Sequence, residues 1–557
     1  MSGYVTCNPI KNISELESCL SNPPQWVDKV MPLRKRSGLV IKNRPVDCHV
    51  TEDQYCDRTR LSSYSTPKTL VCHDYKGGYL TDSYVPLSEV NETIAKEGYS
   101  LYNWSQIDYF VYFSHHLITI PPLSWINVAH QNGVKVLGTV ITEFSKGEEI
   151  CEKELFGNHD NMTEFAYNLS EILNIFGFDG WLLNIENEVK NTNILKKFVK
   201  ILTENVHKAN YENVVLWYDS VIESGYLKWQ DELNLNNKCF FDMCDGIFLN
   251  YCWKEESLIK SVELAGHRSY DVFVGIDIFG RNMFGGGKFN TFKAVEVVSK
   301  YNLSMALFAP GWTYETMDKY PSETAFSRFL TRDDTLWSSL KPFLFTHPIN
   351  YMFSTSFHIG LNLDTYNLFL QEQQLSRILF PDSLHTVLGS EAIESLKNCC
   401  DCIKRGYQQS KNVCLLSNEK IKTSSKNVVH NLFSCDLKLK GKIVLFVKTE
   451  KVGQLDTTIE LQLLTSLGSG SMRKIKLLDK RKSIVENNIS LLEVNPLDET
   501  EIKKYFSLDQ LREKHNNSKS LSIYLFTTHK CTLLEVGAVL LNGHSIYLTD
   551  FGLDNLK

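Results

Sequence analysis

Eight short runs of apolar and β-branched residues recur between about residue 68 and residue 315, separated by stretches of helical period. They read TLVCHD at 69–74, YFVYFS at 109–114, KVLGTVIT at 135–142, GWLLNI at 180–185, VVLWYD at 214–219, GIFLN at 246–250, VFVGIDI at 272–278 and SMALFA at 304–309. A strand with one wet face alternates apolar and polar residues, whereas these runs are almost continuously apolar. That pattern requires burial on both faces, the condition of a parallel sheet covered by helices. Between the runs, PLSWINVAHQNG at 122–133 can set Trp125, Val128 and Ala129 on one face and end at Gly133, and TEFAYNLSEILNIFG at 163–177 is similar. Eight strand-then-helix units over about 250 residues predict a (β/α)₈ TIM barrel. A doubly wound open sheet is the alternative, but no glycine-rich phosphate loop follows the first run. GGG at 285–287 lacks the Lys-Ser/Thr of a P-loop and reads as a flexible loop.

At 557 residues the chain exceeds what one core usually serves. The barrel is assigned to 61–344. After 345, runs such as NVCLLS, KIVLFVKT, TTIELQLLTS, SLSIYLFTT and CTLLEVGAVLLN alternate with polar turns, and only short stretches such as SLDQLREKH look helical. This texture predicts a C-terminal β-rich region, one or two β-sandwich modules over 345–557. Residues 1–60 read as an N-terminal extended segment.

The net charge of −6, spread over both signs, offers no basic stripe, so neither nucleic acid nor a membrane surface is an expected partner. The opening MSGYVTCNPIKNISELESC has no basic region followed by an apolar run, and a signal peptide or anchor is not expected. The expected location is the cytosol, with the 15 scattered cysteines as free thiols. The cluster Cys399, Cys400 and Cys402 reads as small buried hydrophobes rather than a metal site. The sequons at Asn103, Asn161, Asn168 and Asn302 are then expected to be unused.

A barrel of this kind carries its chemistry at the C-terminal ends of its strands. Those ends offer His73, Asp74 and Tyr75; Ser114, His115 and His116; Thr142 and Glu143; Asn184 and Glu186; Tyr218 and Asp219; Asn250 and then Trp253; Asp277; and Pro310 and Trp312. Carboxylates, amides and flat aromatic faces suit a carbohydrate, which presents hydroxyl edges and C–H faces. Residues two apart in a strand point the same way, so Leu182, Asn184 and Glu186 share the inward face while Leu183 and Ile185 look out.

The segment FDGWLLNIE resembles the strand-four motif of family 18 chitinases, in which an acid two residues after an aspartate protonates the leaving oxygen. Here Asn184 stands for that aspartate and Leu182 for an earlier acid. This departure is the pattern of glycoside hydrolase family 85, the endo-β-N-acetylglucosaminidases. Residues 108–144, 216–234, 244–253 and 306–315 are similar to that family too, so the resemblance spans the barrel. It implies a cytosolic enzyme that cuts the GlcNAc-β-1,4-GlcNAc bond in the chitobiose core of N-glycans, on glycoproteins or free oligosaccharides. It also implies that Tyr218 assists at the acetamido group.

Enzymes acting beside a 2-acetamido sugar can use the substrate's own carbonyl oxygen as nucleophile, which removes the need for a second acid. In that scheme Asn184 orients the acetamido group and Glu186 is general acid, then general base. The candidate substrate-binding residues are Trp253, Trp312, Asn250, Asp277, His73, Glu143 and Trp229. Several have a plainer alternative: the tryptophans as core or rim aromatics, His73 as a satisfied structural donor, Asp277 as a group that holds a neighbouring loop. No metal or other cofactor is expected, since no ligand spacing occurs. A chitinase-like hydrolase is disfavoured by Asn184, and a lectin-like barrel by the retained Glu186.

Overall fold

The structure is a computed structural model, which describes residues 4–43, 49–51, 58–86, 99–317, 322–355, 414–417, 428–451, 458–505, 521–542 and 545–556. Eight parallel strands close a barrel: β1 (Thr69–Asp74), β2 (Tyr109–Phe113), β3 (Lys135–Glu143), β4 (Gly180–Glu186), β5 (Val214–Tyr218), β6 (Gly246–Leu249), β7 (Val272–Asp277) and β8 (Ser304–Phe308). Each pairs with its sequence neighbour, and β8 pairs back onto β1 through Ala306 beside Leu70. β4 lies in register with β3 so that Asn184 sits beside Ile141 and Glu186 beside Glu143.

Alternate residues on each strand enter two different cores. Leu70, Leu137, Leu182, Leu216, Phe248 and Phe273 fill the interior of the barrel. Their neighbours, such as Leu183, Ile185, Val215 and Val274, pack outward against the helices. This division is why the strands are apolar on both faces, and it makes residue parity the rule for what reaches the mouth. Among the helices, His159–Phe176 starts at Asn158, whose side chain accepts from the Asn161 amide, and stops at Gly177, where φ is 65°. The connection from β5 to β6 departs from the regular unit: it contains a long loop and only a four-residue helix, Lys238–Phe241.

The first 60 residues are not simply extended. A helix spans Ile13–Ser21, capped by Asn12 accepting from the Glu15 amide while Glu15 accepts from the Lys11 amide. The local signal was NISE, an Asn with an acid three residues on, which supplies both caps. A short strand, Leu39–Lys42, pairs with Arg60–Ser62 and with Phe345–Thr346.

Beyond the barrel lie β9 (Val428–Lys451), β10 (Thr458–Leu467), β11 (Met472–Leu477), β12 (Leu491–Val494), β13 (Leu521–Asn542) and β14 (Ser545–Asn555). Together with Phe353–Thr355, Cys414–Ser417 and His49–Thr51 they form one hydrogen-bonded network rather than separate modules. β9 pairs antiparallel with β13 along almost its whole length, with register shifts at Asn431/Phe433, Ser434/Leu437 and Leu439/Gly441. Such irregularities bend long strands, and one apolar cluster, including Leu437, Leu445, Leu463, Leu533 and Phe551, lies against them. Arg58 and Arg60 from the N-terminal segment reach Glu535 on β13, 3.0 and 3.6 Å away. The stretch SLDQLREKH and the cluster Cys399, Cys400 and Cys402 lie outside the described residues. Among those described, no helix is long and apolar enough to cross a membrane.

Candidate active site

Inward parity brings Asn184, Glu186, Glu143 and Tyr218 to one side of the barrel mouth. Asn184 is buried, and its Nδ2 donates to Glu186 Oε2 at 3.1 Å. Trp229, in the loop after β5, donates from Nε1 to Glu186 Oε1 at 3.3 Å. Burial pushes the Glu186 carboxyl above its ordinary value, against these two hydrogen bonds, and the charge of Glu143 adds to the push. The outcome is an acid biased toward its protonated form at the end of β4. Glu143 in turn accepts from His115 Nδ1 at 3.1 Å, a contact that raises the His115 pKa.

Tyr218 points in from β5, and its hydroxyl donates to Asn250 Oδ1 at 2.9 Å. Burial, then the charge of Glu186, hold the phenol far above its usual value, so it stays protonated. Asn250 Nδ2 donates to Asp231 Oδ1 at 2.7 Å, which leaves Asn250 braced on both sides by protein. Asp219, fully buried at the end of β5, accepts from the amides of Gln230 and Asp231 at 3.1 and 2.8 Å and from Asn237 Nδ2 at 3.0 Å. Burial raises its pKa to about 7 against those donors.

Four of the sequence candidates are placed elsewhere. His73 lies on the outward face of β1, among Tyr99, Phe110 and Trp125, and burial lowers its pKa to about 3. It is a neutral core residue, because position 73 has the opposite parity to the inward Cys72. Trp253 is buried in the outer core, stacks on Phe284, and donates to the Gly275 carbonyl at 2.8 Å. Trp312 is buried in the same outer core against Phe289, with Arg332 over its ring. Asp277 has inward parity, yet Arg281 Nε sits 2.8 Å from it and the Phe279 and Arg281 amides donate to it, so it braces its own loop.

Of three further residues at the mouth, Asp74 stood among the strand ends but was passed over for His73, and Tyr251 and Phe144 were not expected there. Asp74 follows Cys72 by two and faces inward; burial raises its pKa, and its carboxyl takes no hydrogen bond from any described residue. The parity rule applied to β1 would have found it in place of His73. Tyr251 packs into the interior beside Tyr218 and Phe308, and Gly275 makes the room, since a Cβ there would come within 2.9 Å of its ring. Phe144, next after Glu143, is 80% exposed with φ at 56°, a left-handed conformation unusual for a bulky side chain. Nothing local in the sequence announces either placement.

A closed (β/α)₈ barrel with an amide and a raised-pKa acid two residues apart on the inner end of strand four is a ground plan of the glycoside hydrolase class. The chain belongs to glycosyl hydrolase family 85, whose pattern its residues 84–365 match over half of its length. It is 40% identical over 427 residues to the cytosolic endo-beta-N-acetylglucosaminidase of Mus musculus, covering 74% of this chain and 55% of that one. It is 39% identical over 444 residues to the Homo sapiens protein of the same name, covering 77% and 57%. Cytosolic endo-beta-N-acetylglucosaminidase 2 of Arabidopsis thaliana is 43% identical over 312 residues, 56% of this chain and 43% of that one. The chain thus spans a little more than half the length of the two mammalian relatives and less than half that of the plant one. Its fold is similar to the crystal structure of the glycoside hydrolase domain of Endo-D from Streptococcus pneumoniae R6, with a TM-score of 0.60 at 14% identity, covering 99% of this chain and 84% of that one.

Proposed function

We propose that this protein is a cytosolic endo-β-N-acetylglucosaminidase that hydrolyses the GlcNAc-β-1,4-GlcNAc bond in the chitobiose core of N-glycans and free oligosaccharides. The observation that carries the reading is the bond from Asn184 Nδ2 to Glu186 Oε2. It fixes the amide so that its other end, Oδ1, is left for the substrate, and an amide oxygen at that point is an acceptor for the acetamido N–H. Family membership and the names of the relatives support the same reading.

The reaction runs in two steps. The acetamido carbonyl oxygen attacks the anomeric carbon while the bond to the departing sugar oxygen breaks and Glu186 gives that oxygen its proton. Ring closure leaves a protonated oxazoline whose N–H rests on Asn184. Glu186, now a carboxylate, takes a proton from water, and the water oxygen attacks the anomeric carbon and reopens the ring. Two inversions give net retention, and one GlcNAc stays on the asparagine side. A sugar hydroxyl in place of water gives transglycosylation. Trp229 beside Glu186, and Glu143 with His115 next to it, are the proposed contacts for the flanking sugars.

The test separates the two steps. Asn184→Ala is expected to lose nearly all glycan hydrolysis yet still transfer a preformed sugar oxazoline to a GlcNAc acceptor, while Glu186→Ala loses both, each variant being checked for folding by circular dichroism. Azide rescue of Asn184→Ala, or hydrolysis at close to the normal rate, would sink substrate assistance and point to a protein nucleophile such as Glu143.

A further inference from the structure

At the end of the barrel opposite the mouth, three segments distant in sequence enclose a small cavity of about 40 Å³. Arg34, Lys35 and Arg36 come from the N-terminal segment, Ser105 from the short turn before β2, and His347 and Tyr351 from the link to the C-terminal sheet. No acidic residue lines it. The Arg36 guanidinium donates to the carbonyls of Asn132, Ile107 and Trp104 at 2.8, 2.6 and 2.8 Å, contacts that fix its position without neutralising its charge. The Arg34 guanidinium lies 4.0 Å over the Tyr351 ring.

Two buried polar atoms of the lining residues have no partner among the described residues, Ser105 Oγ and His347 Nδ1. The two residues are tied together by the His347 amide, which donates to the Ser105 carbonyl at 2.8 Å. The state of Nδ1 follows from the other ring nitrogen. His347 Nε2 stands 2.8 Å from Asp108 Oδ1, while Asp108 Oδ2 accepts from the Thr69 amide at 2.8 Å. Burial pushes the Asp108 carboxyl up, but His347, Arg36 and the Thr69 amide outweigh it and hold the group below its ordinary value. Asp108 is thus a carboxylate, and Nε2 carries the proton between them. Burial and the charge of Arg36 keep the ring neutral against the pull of Asp108. Nδ1 is therefore a bare acceptor, in a cavity whose charged groups are all cations.

Cations call for an anion, and a bare buried acceptor calls for a donor. Sulfate brings charge without a proton, water a proton without charge, and hydrogen phosphate brings both. We propose that this cavity binds the hydrogen phosphate ion, its charged oxygens facing Arg34, Arg36 and Ser105 Oγ and its P–OH donating to His347 Nδ1. A water needs roughly 10–15 Å³ of such space, so the cavity holds an ion of a few heavy atoms and not a sugar ring. The bound ion ties the N-terminal segment, the barrel and the link to the C-terminal sheet together.

The test is titration of the full chain with inorganic phosphate at about pH 8 and fixed ionic strength in chloride, followed by calorimetry and by the shift in Tm. Hydrogen phosphate keeps one proton at that pH, whereas methyl phosphate, a monoester with a second pKa of about 6, has lost its own and sulfate has none. Phosphate is expected to bind at least about tenfold more tightly than either, because both leave Nδ1 unpaired. Arg34→Met keeps a stem over Tyr351 without the charge and should weaken phosphate at least about tenfold, and Ser105→Ala about threefold. His347→Gln can keep an N–H on Asp108 while removing the acceptor, and should bring phosphate down to the affinity of sulfate. Sulfate itself must recruit a proton onto Nδ1, so its affinity for the wild type should rise as the pH is lowered to about 6. No binding beyond the chloride control, equal affinities for phosphate and sulfate at about pH 8, or undiminished phosphate binding in Arg34→Met and Ser105→Ala would each overturn the assignment.

Discussion

His73 and Asp74 are adjacent in sequence, and they separate the two faces of the barrel wall. His73 turns out into the packing of aromatic rings and is pushed down to a pKa of about 3, while Asp74 turns in toward the mouth and is pushed up. The cause is the same for both, since burial disfavours whichever form is charged. The consequence differs: one is a neutral core residue and the other a carboxyl facing the cleft. The three candidate tryptophans divide in the same way. Trp229 is 44% exposed with its indole N–H on Glu186, whereas Trp253 and Trp312 are buried behind the wall. A residue type suited to sugars is therefore informative at a strand end only together with the side of the strand it leaves from.

The comparison predicts that inner-face changes alter chemistry and outer-face changes alter stability. The largest expected effect is that of Glu186→Gln, which keeps the shape and removes the transferable proton. Turnover should fall about 10²- to 10⁴-fold with the melting temperature unchanged. A variant that keeps near-normal turnover breaks the assignment of the inner face.

Next come Trp253→Ala and Trp312→Ala, each expected to cost about 3 kcal/mol of unfolding free energy through the cavity left in the outer core. Denaturant titration measures this, and KM for glycan, taken on the folded fraction, should hold within about twofold. A raised KM without destabilisation would return these rings to the sugar cleft.

The smallest effect sharpens the electrostatics. Glu186 must be protonated to act as acid, so kcat/KM falls as pH rises through its elevated pKa, and the alkaline limb should lie above the ordinary glutamate range. The Trp229 hydrogen bond lowers that pKa, hence Trp229→Phe should move the limb to higher pH, with loss of rate elsewhere confined to weaker sugar contact. A limb that moves down, or stays fixed, would show that this hydrogen bond does not bear on the acid.

How much was legible follows from how local each signal is. β1 occupies the residues expected of it, and the ends of the other seven barrel strands differ from expectation by no more than one residue, because a strand buried on both faces writes itself as an uninterrupted apolar run. Helix Ile13–Ser21 was hidden by its short length, although its caps were present in the sequence. The loop between β5 and β6 is polar and irregular, so nothing in its composition marked Asp231 or Trp229 as the residues that would touch Asn250 and Glu186. In the C-terminal region the β texture was plain, but the pairing of β9 with β13, about 90 residues along the chain, was not.

The sequence by itself determined where the barrel strands lie and that Asn184 and Glu186 leave the same face of β4. Both are consequences of a two-residue period and of continuous apolarity, properties that a few neighbouring residues carry. Only the tertiary structure decided which groups meet at the mouth. Trp229 reaches Glu186 from 43 residues away, His115 meets Glu143 from the end of a neighbouring strand, and His49–Thr51 joins the C-terminal sheet beside β9. Those contacts depend on the closure of eight strands in one register and on the path of loops that carry no period. They exist only once distant segments have paired, and so no local pattern could encode them.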